Sequence, residues 1–390
     1  FLAMISTISV DFMLKTDFFY RSTILFLSFI AFILIVAKRI LFKLFLSKKT
    51  NLAIDTKNIM ILGSKKRASH LINEFSKHLE YGFNIRYIVD PDENRFGVNI
   101  NSFTVNERFS NIYNIIKSGG IDEVFIAMPL DDIPDIRKLF VLLNDLGKSY
   151  HVLINTKLEE IDKSKIRLEP VVEKYYGLPM LTFNSLNTNL YSLYFKNIVE
   201  NIFAAILFIL TFPLILFFSI LIKITSPGPA IFKQVRIGMH GREFTQYKLR
   251  TMSINAESIK SNIQSMNEQS GPVFKIKNDP RITIIGKIIR KFSIDELPQL
   301  FNVIIGDMNL IGPRPLPVSE VNEIKKISHH RRHSMKPGIT GLWQVSGRNS
   351  IKNFDDWVKL DLEYIDNWSL LLDLKIAFKT IYVVISGSGR

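Results

Sequence analysis

Residues 198–222 read IVENIFAAILFILTFPLILFFSILI, an apolar run with one proline, Pro213, in its second half. A helix of about 25 residues is long enough to cross the ~30 Å hydrocarbon core of a bilayer. Proline removes one backbone hydrogen bond and clashes with the preceding turn, so the run can bend into arms of roughly 22 and 14 Å, neither of which spans the core alone. The run therefore predicts a membrane helix that is either re-entrant or a proline-kinked span.

The charges on both flanks of this run favour the re-entrant alternative. The flanking basic residues are Arg167, Lys174 and Lys196 before the run and Lys223, Lys233 and Arg236 after it. An excess of Lys and Arg marks cytoplasmic flanks, so both ends are predicted to lie in the cytoplasm. We predict a re-entrant membrane helix over 196–225, broken at Pro213.

A second apolar run, residues 18–37, predicts a transmembrane helix nearer the start of the chain. Its roughly 20 residues are sufficient to span a bilayer. The basic residues that follow it are Lys38, Arg39, Lys43, Lys48 and Lys49. The positive-inside rule then places everything after residue 38 in the cytoplasm. Because the chain opens at Phe1 within apolar sequence, we expect transmembrane helices over 1–50 that continue upstream; a buried core helix is the alternative.

Short β-like runs alternate with helical ones between residues 51 and 160. Strands are predicted at 59–62, 85–89, 124–127 and 151–154, with helices at 66–79 and 134–146. Such alternation is typical of a parallel α/β sheet. We predict a Rossmann-like domain over 51–160, followed by a linker over 161–195.

The first turn of this domain has only part of a dinucleotide-binding fingerprint. Gly63 stands where the glycine-rich turn begins, and Asp90 follows the next strand at the distance expected of a ribose-binding acid. Residues 63–68 read GSKKRA, so the second and third glycines of G-x-G-x-x-G are absent. We therefore predict a structural, oligomeric or regulatory role for the domain rather than a working dinucleotide site.

The whole chain is strongly basic and contains no cysteine. Its 390 residues include 50 Lys and Arg against 36 Asp and Glu, which gives a net charge of +14. A basic surplus beside apolar runs suits an anionic lipid surface or a phosphorylated substrate. No recognisable nucleic-acid-binding signature accompanies the charge, so we exclude nucleic acid as a partner. The absence of cysteine excludes a disulfide framework and a thiolate zinc site.

Two adjacent carboxylates, Asp295 and Glu296, stand at the centre of residues 293–299, SIDELPQ. On a regular helix they would point about 100° apart, but Pro298 disturbs the backbone after them and can let them converge. Ser293 and Glu296 also have capping-box spacing, so the structural alternative is that Glu296 closes a helix N-terminus. That alternative leaves Asp295 unexplained and still offers a helix start to phosphate oxygens.

Basic and glycine-rich segments surround this acidic pair. They are Arg281, Lys287, Arg290 and Lys291 upstream, and segments 306–307, 312–315, 336–341 and 344–348 downstream. Arg314 stands between Pro313 and Pro315, so its guanidinium can be presented to a phosphate at little ordering cost. Paired acids, a rigid cation and flexible glycines together suit phosphoryl transfer.

The segment from residue 196 to the C-terminus resembles the monotopic phosphoglycosyl transferases, bacterial sugar transferases that begin glycan assembly. The resemblance rests on SPGP at 226–229, YKLRTM at 247–252, DPRIT at 279–283, DELPQ at 295–299, GPRP at 312–315 and the stretch 336–348. Upstream, membrane helices followed by a degenerate α/β domain resemble the large members of that family, the polyprenyl-phosphate hexose-1-phosphate transferases. Trp343 and this large architecture favour a hexose as the sugar.

The resemblance implies a mainly α-helical monotopic catalytic domain over 226–390 and a two-step mechanism. Asp295 would attack the sugar-bearing phosphorus of a UDP-sugar and release UMP. Undecaprenyl phosphate would then take the phosphosugar from Asp295, with Glu296 assisting. Mg²⁺ at Asp295 and Glu296 is the implied cofactor. The predicted phosphate-binding residues are Arg314, Arg290, Lys248, Arg250, Arg281 and Arg348.

The same resemblance implies the partners and the location. The partners are a UDP-sugar, undecaprenyl phosphate and membrane lipid, with a homo-oligomer left open. The location is the bacterial inner (plasma) membrane with the catalytic domain in the cytoplasm, where the enzyme would initiate exopolysaccharide, capsule or lipopolysaccharide O-antigen assembly. Two alternatives stay open. A membrane-anchored sugar-nucleotide dehydratase would need the missing glycines, and the intact acid pair argues against a non-catalytic assembly scaffold.

Overall fold

The computed structural model describes residues 57–77, 82–118, 120–154, 171–175, 178–184, 190–260, 263, 266–274, 276, 279–347, 351 and 353–385. The transmembrane helices predicted over 1–50 lie outside these residues. Nearly all described residues belong to one compact unit, Asn58–Lys77 together with Ile85–Arg390. The α/β sheet and the catalytic region are both parts of this unit.

The first part of the unit is an α/β sheet. Its strands are β1 (Lys57–Leu62), β2 (Phe83–Asp90), β3 (Asn99–Ile100), β4 (Phe103–Thr104), β5 (Glu107–Arg108), β6 (Glu123–Ile126), β7 (Ser149–Leu153), β8 (Val171–Tyr175) and β9 (Leu178–Phe183), and its helices are α1 (Lys66–Lys77), α2 (Ile112–Ser118) and α3 (Ile136–Asp145). Seven strands form one sheet in the order β5-β2-β1-β6-β7-β9-β8, and β3 pairs with β4. β1 is parallel to β6, β6 to β7 and β2 to β5, which confirms the predicted parallel α/β region.

The central strands are apolar because protein covers them on both faces. Val124, Phe125 and Ile126 of β6 are at most 1% exposed. Phe75 of α1 packs edge-on against Phe125, with the ring centroids 5.0 Å apart, so α1 covers one of these faces.

Strands β8 and β9 lie within residues 161–195, the segment predicted as a linker. β9 is antiparallel to β7, and β8 is antiparallel to β9. Met180, Leu181 and Phe183 are buried as a result. This part of the predicted linker therefore belongs to the sheet, because its short apolar runs find a partner in β7 that composition alone does not reveal.

The turn after β1 begins like a nucleotide-binding loop. However, Asp90, the predicted ribose-binding acid, already accepts hydrogen bonds from within the protein. Gly63 has a φ of +113°, and a Cβ there would come within 3.1 Å of the carbonyl oxygen of Ala127. The Ser64 hydroxyl donates to Oδ2 of Asp90, and the Asp92 N–H donates to Oδ1 at 2.9 Å. Both oxygens of the predicted ribose-binding acid thus accept from neighbouring residues, which is consistent with a structural role for this turn.

A single long apolar helix, α4 (Leu190–Thr225), follows the sheet and has Pro213 inside it. By length and composition residues Ser192–Thr225, with a mean hydropathy of 2.9, could cross a membrane. Ile209 and Leu210 are 71% and 70% exposed, so the helix presents apolar side chains outward. The predicted apolar helix is present, and its re-entrance stays a prediction.

The remaining elements form the mainly helical region after α4. They are β10 (Ile231–Ile237), β11 (Glu243–Leu249), α5 (Ala256–Lys260), α6 (Ile284–Lys291), α7 (Gln299–Ile305), β12 (Asn309–Ile311), β13 (Leu316–Pro317), α8 (Val318–Asn322), β14 (Gly338–Thr340), α9 (Leu342–Val345), α10 (Phe354–Asp366) and α11 (Leu370–Ile385). β10 pairs antiparallel with both β11 and β13, and β12 is parallel to β14. A 3₁₀ helix, Ile327–Ser334, lies between α8 and β14.

A buried lysine ties the start of α4 to the C-terminal helices. Lys196 is 1% exposed, and its Nζ donates to Glu200 Oε1 at 2.8 Å and to Asp373 Oδ2 at 2.7 Å. It also donates to the Ile311 carbonyl at 3.0 Å and to the Tyr364 hydroxyl at 3.2 Å. A charge is tolerated in this buried position because carboxylates and hydrogen-bond acceptors surround it. These hydrogen bonds of Lys196, together called the Lys196 clasp, hold the beginning of α4 against β12, α10 and α11.

Lys196→Met is expected to destabilise the protein by about 3–5 kcal/mol, because Glu200 and Asp373 would stay buried without their counter-charge. The matched control is Lys223→Met at the opposite, exposed end of the same helix, which should cost less than about 0.5 kcal/mol. The measurement is the thermal midpoint of each purified variant in detergent. Equal midpoints for the two variants would show that the clasp does not stabilise the fold.

Candidate active site

Four polar side chains of the candidate active site lie on one face of the β10–β11 hairpin. The register pairs Gln234 with Gln246. Cross-strand partners share a face, and so do residues two apart along a strand, so Gln234, Arg236, Gln246 and Lys248 lie on the same face. Gln246 Nε2 donates to Gln299 Oε1 at 3.0 Å, which turns this face towards α7.

A strained turn between α6 and α7 holds both acids. Ser293 has φ 55° and ψ 24°, in the left-handed region that residues other than glycine rarely adopt. One 3₁₀ turn, Ile294–Glu296, follows, and Pro298 precedes α7. The Ser293 side chain makes no capping hydrogen bond to this turn. The capping-box alternative for Glu296 is therefore not the arrangement that the structure shows.

Glu296 is buried, and its carboxylate is bound by two cations. Its Oε1 accepts from Lys248 Nζ at 3.2 Å and from Arg314 Nη2 at 2.9 Å. The neighbouring Asp295 is half-buried, and its negative charge favours the protonated form of both Lys248 and Arg314. The two acids and two cations thus form one electrostatic cluster.

Arg236 adds a third cation to this cluster. Its Nη1 donates to the carbonyl of Pro315, next to Arg314, and its Nη2 donates to Gln234 Oε1 at 2.8 Å. Sequence reasoning missed Arg236 as a site residue. The available signal was a pair of β-rich runs joined by a glycine-containing turn at 238–241, which predicts a hairpin and places Gln234, Arg236 and Lys248 on one face.

Burial shifts the acid–base equilibria of these cations. Burial lowers the pKa of Lys248 to about 8, although Glu296 opposes the shift, and lowers the pKa of Arg236 to about 10 with the help of nearby Arg314. At Arg314 burial is outweighed by Glu296, which holds the pKa above its ordinary value. Glu320 also acts on both arginines, so three carboxylates balance the three cations. The ammonium and guanidinium groups brought together here suit the oxygens of a diphosphate.

The pKa of Lys248 predicts an alkaline limit to activity. The groups facing its ammonium are Glu296, Asp295, Arg314 and Arg236. Because its folded-state pKa of about 8 lies below the ordinary 10.5, the positive charge is lost as the pH rises through about 8, and kcat/KM is expected to fall there. Lys248→Arg should move this limb upward by about one pH unit or more, since arginine keeps its proton. Superimposable alkaline limbs for wild type and Lys248→Arg would contradict the assignment.

Two of the predicted phosphate-binding residues make contacts of their own away from Glu296. Arg250 Nη2 donates to the Ser226 carbonyl at 2.9 Å and to its hydroxyl at 2.7 Å, so this side chain holds the loop after α4. Arg281 pairs with Asp279 at 2.6 Å. The structure therefore brings Lys248 and Arg314 to the acid pair and holds Arg250 and Arg281 against other parts of the chain.

The remaining two predicted phosphate-binding residues are Arg290 and Arg348. Arg290 is half-buried in the last turn of α6, shortly before Asp295, and its charge lowers the pKa of Asp279 together with the stronger effect of Arg281. Arg348 lies outside the described residues. Their phosphate-binding roles stay predictions.

The acid pair fits a Mg²⁺ ion that is held partly by substrate. Mg²⁺ is usually bound through one or two carboxylates together with substrate phosphate oxygens. Within the part of the chain that the structure describes, no group of three His, Cys, Asp or Glu side chains could hold a metal by itself. Asp295 and Glu296 stay the predicted protein ligands of Mg²⁺, with phosphate oxygens completing the coordination.

Two family models match this chain. The one described as bacterial sugar transferase matches residues 191–387, and the one described as CoA-binding domain matches residues 1–148. The first range contains Lys248, Asp295, Glu296 and Arg314. All the residues of the electrostatic cluster thus lie in the sugar transferase match.

Individual relatives agree with this match. Galactosyl transferase CpsE of Streptococcus agalactiae is 40% identical over 274 residues, which cover 69% of this chain and 59% of that protein. The undecaprenyl-phosphate galactose phosphotransferase of Salmonella typhimurium is 32% identical over 382 residues, 92% of this chain and 74% of that protein. A UDP-glucose:undecaprenyl-phosphate glucose-1-phosphate transferase of Klebsiella pneumoniae is 30% identical over 334 residues, with coverages of 84% and 68%. The chain thus spans between 59% and 74% of the length of these relatives.

Proposed function

Since this chain belongs to the bacterial sugar transferase family, we propose that it transfers a sugar 1-phosphate, of the hexose type, from a UDP-sugar to undecaprenyl phosphate. The observation that carries the proposal is the buried Glu296 carboxylate, bound by Lys248 and Arg314, directly beside Asp295 on a strained turn. This arrangement offers a nucleophile and a cationic cradle within one cluster. Relatives named for galactose and glucose phosphates support the hexose.

In the first step Asp295 acts as the nucleophile. One of its carboxylate oxygens forms a bond to the sugar-bearing phosphorus of the UDP-sugar. The bond from that phosphorus to the bridging oxygen breaks, and UMP leaves with the oxygen. The product is a phosphosugar-aspartate, which follows the covalent carboxylate chemistry of aspartyl-phosphate enzymes.

In the second step the carrier lipid takes the phosphosugar. A phosphate oxygen of undecaprenyl phosphate forms a bond to the same phosphorus, and the bond to the Asp295 oxygen breaks. The carboxylate is regenerated, and the product is undecaprenyl-diphospho-sugar. The two displacements at one phosphorus thus use two nucleophiles in turn, Asp295 and the lipid phosphate, within one cationic site.

The cations and Glu296 lower the barrier of both displacements. Lys248, Arg236 and Arg314 would bind diphosphate oxygens and offset the charge spread over the transferred phosphoryl group. Glu296 holds Lys248 and Arg314 at fixed positions by accepting a hydrogen bond from each. A Mg²⁺ ion bound with Asp295 and Glu296 would supply further charge neutralisation at the same phosphate.

We place this reaction at the cytoplasmic face of the bacterial plasma membrane, with α4, which continues through Pro213, entering and leaving the membrane on the same side. The outward apolar side chains of α4 and the basic residues on both of its flanks support this placement. The chain has no cysteine, so single cysteines introduced before residue 198 and after residue 222 can be labelled selectively. Labelling from the same side is expected, and labelling from opposite sides would show a complete span.

The two alternatives are weaker on the described residues. A sugar-nucleotide dehydratase needs close approach of a pyrophosphate to a glycine-rich turn, and here Ser64 and Asp90 bond each other at that turn. A non-catalytic scaffold has no need of the paired acids and their cations. Neither alternative explains the cluster around Glu296.

The proposed function is tested by UMP release from a panel of UDP-sugars, including UDP-glucose and UDP-galactose, with undecaprenyl phosphate and Mg²⁺. We expect multiple turnovers with at least one sugar. Without the lipid we expect a burst of at most one UMP per enzyme, because the phosphosugar stays on Asp295. No UMP with any sugar would favour the scaffold.

A further inference from the structure

A fully buried arginine contacts the loop that carries Arg314. Arg332 belongs to the 3₁₀ helix Ile327–Ser334 and is 1% exposed. Its Nη2 donates to Asp361 Oδ2 at 2.6 Å and to the carbonyl oxygen of Arg314 at 2.7 Å. Its guanidinium carbon also lies 5.4 Å from the ring centroid of Trp357. Arg332 therefore contacts the backbone of Arg314, whose side chain binds Glu296.

The loop that carries Arg314 is held from outside at three successive carbonyls. The Pro313 carbonyl accepts from the Gly338 N–H at 2.9 Å, the Arg314 carbonyl accepts from Arg332, and the Pro315 carbonyl accepts from Arg236. Pro313 and Pro315 have no N–H groups of their own. Because the loop has few backbone donors, its conformation depends on donors supplied by other elements. Arg332 supplies the bond at the central peptide.

Stability alone does not explain the burial of Arg332. Burial raises the pKa of Asp361 to about 6, although the charge of Arg332 opposes the shift. Among the described residues, Nε and Nη1 of Arg332 have no hydrogen-bond partner. A buried ion pair with unsatisfied donors often contributes no more to stability than apolar residues of similar size. Burying the Arg332–Asp361 pair therefore costs free energy that a purely structural contact between the two elements would not require.

A second ion pair already joins the same two elements at the surface. Arg331 Nη1 donates to Asp366 Oδ2 at 3.1 Å, which connects the 3₁₀ helix to α10 as Arg332 and Asp361 do. The side chains of Arg331 and Asp366 are 19% and 46% exposed. The two neighbouring pairs differ in one respect that bears on the site, since only Arg332 also reaches Arg314.

We propose that Arg332 is a positioning residue, which fixes the peptide of Arg314 and thereby directs the Arg314 guanidinium to Glu296 and the substrate diphosphate. This inference rests on the proposed function for its substrate. The chain of contacts runs from Arg332 Nη2 to the Arg314 carbonyl, and from Arg314 Nη2 to Glu296 Oε1. Arg236 holds the next carbonyl but faces the site itself, so its own effect would mix positioning with direct binding.

The test replaces the buried ion pair by apolar residues in the double variant Arg332→Met, Asp361→Leu. Such a replacement commonly keeps or raises stability. We expect an unchanged or higher thermal midpoint together with a fall of about tenfold or more in affinity for inorganic pyrophosphate, measured by calorimetry, because a small misplacement of a binding group is costly. kcat/KM for the UDP-sugar should fall in parallel.

The matched control removes the surface pair in the same way, as Arg331→Met, Asp366→Leu. It breaks a connection between the same two elements but leaves the Arg314 carbonyl bonded. We expect its pyrophosphate affinity to stay within about twofold of wild type. Equal losses in the buried and surface double variants would overturn the inference, because both would then act through the fastening of the 3₁₀ helix.

A double-mutant cycle shows whether Arg332 acts through Arg314. In an Arg314→Ala background the buried double variant should have no further effect on pyrophosphate affinity, since the group that it positions is gone. Independent, multiplicative losses would overturn the inference, and so would full affinity in the buried double variant or no pyrophosphate binding by wild type. If wild type releases no UMP from any UDP-sugar, the proposed function fails, and the pyrophosphate cycle still decides the role of Arg332.

Discussion

Asp295→Asn is expected to abolish sugar-phosphate transfer, with kcat falling by about 10⁴-fold or more. The amide that replaces the carboxylate has no anionic oxygen to attack phosphorus, so the covalent intermediate cannot form. Lys248, Arg314 and Glu296 keep their mutual hydrogen bonds in this variant, because Glu296 is the residue that joins them. Steady-state UMP release is the measurement.

The control for this variant is the same chemical change at an exposed acid. Asp356 lies in the first turn of α10 and is exposed, so Asp356→Asn should keep wild-type activity. Pyrophosphate binding by Asp295→Asn should persist, which separates loss of the nucleophile from loss of the site. Wild-type turnover by Asp295→Asn would show that transfer does not need a covalent bond to Asp295.

Arg314→Ala is expected to lower kcat/KM by about 10²–10³-fold, the usual cost of removing one donor that stabilises transition-state charge. The loss has two physical causes. The transferred phosphoryl group loses a planar cation, and buried Glu296 loses the shorter of its two hydrogen bonds to cations, at 2.9 Å. UMP release at limiting UDP-sugar is the measurement.

Arg314→Lys is the companion variant. It keeps the positive charge but loses the guanidinium fork, so its activity should lie between wild type and Arg314→Ala. Guanidinium ion added to the Ala variant should restore part of the rate. If Arg314→Ala kept more than about a third of wild-type kcat/KM, Arg314 would not be part of the phosphate-binding cluster.

The parts of the fold that could be predicted are those with local signals. The alternation of strand-like and helical runs over 51–160 needs only a short window, and it gave the parallel strands β1, β6 and β7. The apolar run of α4 is equally local. The acid pair and Arg314 were also singled out from local motifs, and the structure brings Arg314 to Glu296, while their roles in transfer stay predictions.

The parts that escaped prediction depend on non-local pairing. β8 and β9 look like linker until β7 is known to lie beside β9. Arg236 joins the site through a hairpin register, and Arg332 joins it through a carbonyl 18 residues away in sequence. A sequence pattern shows which residues are charged, but it does not show which backbone acceptor a buried guanidinium will find.

Arg250 and Arg281 were predicted to bind phosphate, but the structure shows them in contact with other protein groups. Both stand in motifs that carry the family resemblance, and their charge predicted phosphate contacts. In the structure Arg250 donates a hydrogen bond to Ser226, and Arg281 forms an ion pair with Asp279. A charged residue in a motif can therefore stabilise the conformation of a neighbouring loop instead of binding substrate, because buried carbonyl groups also need hydrogen-bond donors.

Whether Asp295 becomes covalently bonded to the phosphosugar can be measured by mass spectrometry of the enzyme incubated with UDP-sugar and Mg²⁺ but no lipid. The peptide containing Asp295 is expected to gain the mass of one sugar phosphate, and adding undecaprenyl phosphate should remove it. UMP release in the presence of lipid, without any such adduct on Asp295 when the lipid is left out, would show that transfer does not pass through Asp295.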